Sequence, residues 1–149
     1  GKVKKSSNGA HIGIANDIEI NENGLNHPLY KSKKKKFNSP AFNFDEVVTL
    51  PENGVCLASN KINKIQSLHF KVNNASIWGL QYHPEITYEK MIRLIKFRKD
   101  RLISNRKVFK NENEIREHIS FIEEEISISN KDQRMLELKN WINMIKEQN

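Results

Sequence analysis

The apolar residues of this chain change their spacing once, and that change limits the folds open to it. Before His83 they recur at alternate positions; after Thr87 they recur every third or fourth. Ile12, Ile14, Ile18 and Ile20 fall at even spacing, which predicts one face of an extended segment, and Asn23-Gly24 predicts a turn after it. Further strands are expected over residues 41–48, 55–59, 65–72 and 77–82, separated by Pro51-Glu52-Asn53-Gly54, by residues 60–63 and by Asn73-Asn74. Met91, Leu94, Ile95 and Leu102 then recur at helical spacing behind Thr87, a good capping residue, so a helix is expected from about 88 to 103. Ile115, Ile119, Ile122 and Ile126 form a second helical stripe, and Met135, Leu138, Ile142 and Ile145 a third, beyond Ser129-Asn130. The pattern reads as an α/β chain whose sheet comes first and whose helical hairpin comes last.

Composition closes off several classes. The longest apolar stretches are about four residues against the roughly 18 of a membrane helix. Lys2, Lys4 and Lys5 imitate the start of a signal peptide, but Ser6, Ser7, Asn8 and Gly9 stand where its apolar segment belongs. The single cysteine, Cys56, fits a reducing compartment. The expectation is a cytoplasmic protein without membrane contact. Residues 1–105 carry 17 basic and 9 acidic side chains and the remainder 8 and 9, so the formal charge of +7 sits in the first part. Lys31 and Lys33 to Lys36 make the one dense cluster, which has only Phe37 beside it and lacks the interleaved aromatics of a single-strand nucleic-acid platform. A solvated loop is expected there, and nucleic acid is disfavoured as a partner.

The stretch Trp78-Gly79-Leu80-Gln81-Tyr82-His83-Pro84-Glu85 carries the most chemistry. An apolar strand ends in a histidine, and the following proline removes a ladder donor and holds His83 extended. Glu85 is two residues on, close enough to fold back onto one ring nitrogen and fix the tautomer while the other nitrogen faces a nucleophile. The same spacing also fits a strand-end histidine beside a surface glutamate, and spacing alone does not separate the two. A divalent metal on His83 and Glu85 with His69 or His11 lacks any helical HExxH or finger-type spacing, so no metal or other cofactor is expected.

The stretch 78–85 resembles the terminal signature of class I glutamine amidotransferases, and supporting pieces occur in order: Asp45-Glu46-Val47, Leu50-Pro51-Glu52, Leu57-Ala58-Ser59-Asn60 and Ile65-Gln66-Ser67-Leu68. Gly1-Lys2-Val3 resembles the step after the nucleophile helix of such domains. Glu137-Leu138-Lys139-Asn140-Trp141 is similar to C-terminal extensions of stand-alone bacterial members of the GMP-synthase type. The resemblance implies the C-terminal half of a flavodoxin-like α/β amidotransferase domain over residues 1–105, followed by a helical extension over 106–149. It further implies a Cys-His-Glu triad in which His83 is general base and acid and Glu85 orients it, with glutamine as substrate and ammonia passed to an acceptor or a partner synthase. Gln81 and Tyr82 are expected to be structural.

Two departures qualify that expectation. The family's nucleophile sits on a Gly-x-Cys-x-Gly turn that would precede Gly1, and the chain opens without methionine, so a truncated product is expected, close to inert by itself. Cys56, in Gly54-Val55-Cys56-Leu57-Ala58, follows a glycine by two residues, but no helical pattern follows it. Asn43 stands where many relatives carry a histidine. Two alternatives remain open from the sequence: a non-catalytic basic module binding nucleic acid or protein, and a γ-glutamyl peptidase using the same triad.

Overall fold

The computed structural model describes residues 1–147. Nine short strands come first: β1 (Lys2–Lys5), β2 (His11–Ile12), β3 (Ala15–Ile20), β4 (Lys36–Ser39), β5 (Phe42–Asn43), β6 (Asp45–Thr49), β7 (Val55–Ser59), β8 (Ser67–Val72) and β9 (Ala75–Leu80). A single helical turn, α1 (Glu22–Leu25), follows β3, and α2 (Tyr88–Phe97), α3 (Glu112–Ile128), α4 (Lys131–Arg134) and α5 (Leu136–Glu147) close the chain. Five strands make one sheet in the order β4-β3-β7-β8-β9, antiparallel throughout, while β1 with β6 and β2 with β5 form two-stranded ribbons.

The evenly spaced isoleucines do not lie on one face. Gly13 has φ +87° and Asp17 has φ +53°, and the pairing of β3 with β4 slips between Ala15 and Ile18. This bulge adds one residue to one strand only, which reverses the faces of the residues beyond it. Ile12 and Ile14 therefore point into a core shared with Ile92, Ile95, Ile119 and Ile122. Ile18 and Ile20 point into a second core with Leu29, Tyr30, Leu57 and Tyr82. Gly13 itself allows the close approach, since a Cβ there would lie 2.7 Å from Ile122 Cδ1 and 2.8 Å from Ile95 Cδ1.

Other boundaries shift for local reasons. Asn23-Gly24 lies within α1, which Asn21 caps by accepting from Gly24 N. Residues 41–48 divide into β5 and β6, because Phe44 O instead accepts from Ser6 N. Helix α2 stops at Phe97, and a π-helical turn, Arg101–Asn105, carries Leu102 into the first core. In the tail, α3 buries Ile115, Ile119 and Ile122, matching its stripe. Helix α5 does not follow its stripe: Ile142 and Ile145 are exposed, and Glu137 is the side chain it buries.

Candidate active site

His83 stands just beyond β9, where backbone bonds rather than sheet pairing direct it. Gln81 N donates to Gln66 O at 2.8 Å, His83 N donates to Pro40 O at 2.7 Å, and Ile86 N donates to His83 O at 3.1 Å. The last of these closes a tight turn over Pro84 and Glu85, after which Thr87 caps α2 through Lys90 N. His83 Nδ1 lies 2.8 Å from Glu85 Oε1, with the two side chains 43% and 49% exposed. A carboxylate only accepts, so Nδ1 carries a proton, and in the neutral ring Nε2 presents its lone pair.

Behind His83, the neighbouring Tyr82 is buried and its hydroxyl donates to Glu137 Oε1 at 2.8 Å. Tyr30 Oη lies 2.8 Å from Tyr82 Oη and donates to Ser67 Oγ at 2.6 Å. Burial pushes the Tyr82 phenol far above its ordinary range, so the hydroxyl stays a donor. Lys33 Nζ meets Glu137 Oε2 at 2.9 Å, and both side chains are almost wholly enclosed. Burial lowers the Lys33 ammonium, and Glu137 pulls it back up.

The motif pieces spread along the sequence meet around His11, which is 1% exposed. Its Nε2 lies 3.0 Å from Asn60 Nδ2 and 3.1 Å from Gln66 Nε2, and its Nδ1 lies 3.1 Å from Asn43 Oδ1. Two amide donors on Nε2 leave the proton on Nδ1, and burial lowers the pKa, so this imidazole is neutral. Asn43 Nδ2 also donates to Gln81 O at 2.9 Å, which joins the His11 cluster to the strand end carrying His83. Asn60 Oδ1 accepts from Ile62 N and Asn63 N, the turn chemistry expected of an asparagine there.

The remaining candidates are placed elsewhere. Cys56, on β7, directs its thiol to the carbonyl oxygens of Ala58 and Lys64 at 3.4 and 3.6 Å, and burial raises its pKa. His69 packs beside His27 with ring centroids 4.9 Å apart and bonds Ser76 Oγ. Among the described residues no three His, Cys, Asp or Glu side chains converge as metal ligands. A cleft of about 420 Å³ is lined by Lys33, Lys36, Asn38, Tyr88, Glu125 and Arg134 among others, and neither His83 nor Glu85 lines it. The lysine run is largely matched by acids: Lys33 with Glu137, Lys35 with Glu19 and Lys36 with Asp17. Arg134 and Glu137, which no local pattern marks, are the residues sequence reasoning missed; only the similarity of the 137–141 segment to family extensions pointed near them.

This arrangement shares the α/β fold of part of a glutamine amidotransferase of known structure. The structure superposes on a glutamine amidotransferase from Thermotoga maritima with a TM-score of 0.60 at 17% identity, covering 96% of this chain and 54% of that one. Over 74 residues, 50% of the chain, the sequence is 36% identical to the γ-glutamyl-L-1-hydroxyisopropylamide hydrolase of a Pseudomonas species. The chain spans 25% of the length of that curated relative. No family model matches the chain. Among the described residues no helix is long and apolar enough to cross a membrane.

Proposed function

We propose that this chain supplies the histidine and glutamate of an amidase acting at the γ-carbonyl of glutamine. The observation that carries the reading is the 2.8 Å contact between His83 Nδ1 and Glu85 Oε1, which in the neutral ring puts the proton on Nδ1 and leaves Nε2 as the acceptor at a strand end. Nε2 takes the proton of a cysteine thiol as the sulfur attacks the γ-carbonyl. The same imidazolium then protonates the departing nitrogen, leaving a γ-glutamyl thioester that water hydrolyses. Glu85 holds the ring and stabilises its charge between these steps. The nucleophile in this reading is the cysteine of a Gly-x-Cys-x-Gly turn encoded before Gly1. The thiol of Cys56 is bonded to backbone carbonyls and held protonated, which supports its exclusion. Residues 1–105 form the amidotransferase-like part, 106–149 the helical extension, and a synthase or other acceptor takes the ammonia.

A second reading keeps the chemistry and changes the leaving group, since glutamine is the simplest γ-glutamyl amide. The identity to a γ-glutamyl-L-1-hydroxyisopropylamide hydrolase over half of the chain is compatible with it. Both are tested in the protein encoded with its upstream segment, assayed on glutamine and on a γ-glutamyl alkylamide. His83→Ala is expected to lower kcat/KM by about 10⁴-fold or more on the preferred substrate, and Cys56→Ala to leave it unchanged. Full activity in His83→Ala would sink both readings, and the substrate preference decides between them.

A further inference from the structure

The turn that carries His83 and Glu85 is half-exposed and short, yet its two flanks are fastened by one segment some fifty residues away in sequence. On one side, a single nitrogen of Arg134, Nη1, donates to Ile86 O at 2.8 Å and also to Pro84 O. Pro84 O belongs to the peptide that enters Glu85 and Ile86 O to the peptide one residue beyond it, so the guanidinium pins the turn on both sides of Glu85 and fixes the peptide plane that leads into it. On the other side Tyr82, the residue before His83, donates to Glu137. The two attachments are themselves joined: Lys33 Nζ bridges Glu137 Oε2 at 2.9 Å and Gln133 O at 2.6 Å, the carbonyl adjoining Arg134. Asn140 Nδ2 adds bonds to Leu29 O and Lys31 O, anchoring α5 to the loop that bears Lys33.

We propose that Arg134 and Glu137 are positioning residues for the His83–Glu85 pair, so that the tail helices set the geometry of the site from outside it. An almost wholly enclosed ion pair is a poor way to gain stability, because well-packed apolar side chains commonly do as well. What it supplies is direction: Glu137 has fixed donors on each oxygen and holds Tyr82 in one place. A pair on a free turn of two residues would sample other rotamers, and displacements of about 1 Å cost about 10²-fold in rate. The role of His83 in hydrolysis rests on the proposed function, whereas its tautomer does not, and the two are measured separately.

The experiment is ¹⁵N NMR of the imidazoles in the 149-residue chain. In the unaltered chain, at a pH where His83 is neutral, its Nδ1–H form is expected to dominate. Arg134→Met is expected to lose that preference, with His83 moving toward a mixture of tautomers while His69 and the amides of β8 and β9 stay in place. Arg134→Lys, which keeps a donor, is expected to recover part of it. In the protein with its upstream segment, Arg134→Met is expected to lower kcat about 10²-fold at unchanged KM. A folded Arg134→Met chain with its His83 tautomer unaltered overturns the proposal. If that variant does not fold, Tyr82→Phe decides in its place, because it removes one hydroxyl and keeps the ring; an unaltered tautomer there is equally fatal. An altered tautomer together with full activity in His83→Ala would leave the positioning intact and remove the hydrolytic reading instead.

Discussion

Burial has treated the histidines of this protein differently, and the difference makes stability depend on pH. His11 is enclosed and neutral, held by donors on Nε2 that would face a proton there head-on. His27 is pushed down to about 4, first by burial and then by the neighbouring His69, and its Nδ1 accepts from Leu29 N to cap the 3₁₀ turn Pro28–Tyr30. Burial also lowers His69. Each folded-state value lies below the ordinary 6.5, so below pH 6.5 the unfolded chain binds protons that the folded chain refuses. Stability then falls as pH falls, over a window from about 6.5 toward 4 for His27. The urea midpoint is expected to be lower at pH 5 than at pH 7.5. His27→Asn keeps a capping acceptor that does not titrate, and it should flatten part of that slope. An identical slope in the variant would remove His27 as a source.

At the scale of elements, α5 is fastened by polar contacts where its sequence advertises an apolar stripe. Removing one partner of an enclosed ion pair leaves the other uncompensated and costs about 3–5 kcal/mol. Lys33→Met should therefore lower the denaturant midpoint strongly, while Lys33→Met with Glu137→Leu should recover most of the loss. If the double variant is as unstable as the single one, charge compensation is not what Lys33 provides. The same element shows what the sequence could and could not reveal. Strands β7, β8 and β9 were legible because turn residues bound short apolar runs, although their burial grades along each strand rather than alternating. The cap at Thr87 and the face of α3 were legible because a capping side chain and one-sided burial match the helical spacing. The break at Gly13 and the bulge at Asp17 were hidden because even spacing continues across them. Strand β4 was masked by the lysine run, and β1, exposed along its length, has no buried face to leave a pattern. The His83–Glu85 contact was legible from a two-residue spacing. The bonds to Arg134 and Glu137 span about fifty residues, and no local period encodes them.

At the scale of the whole molecule, the two cores are not divided where the resemblance divides the chain. Ile115, Ile119 and Ile122 of α3 are buried against Ile12, Ile14 and Ile95, which come from the part before residue 105. Full burial of three such side chains is worth roughly 5–9 kcal/mol, comparable with the roughly 5–15 kcal/mol that holds a domain folded. Removing residues 106–149 would also strip Tyr82 and Lys33 of Glu137 and free the turn that bears His83. Residues 1–105 alone are thus expected to give a collapsed amide spectrum and to bind a hydrophobic dye, whereas the 149-residue chain gives a dispersed one. A dispersed spectrum from residues 1–105, with β7 to β9 amides at the shifts of the longer chain, would make the tail an appendage. A collapsed one, restored on adding back the tail, would make the tail part of the unit that holds His83 against Glu85, the outcome that the shared core and the Arg134 and Glu137 bonds lead us to expect.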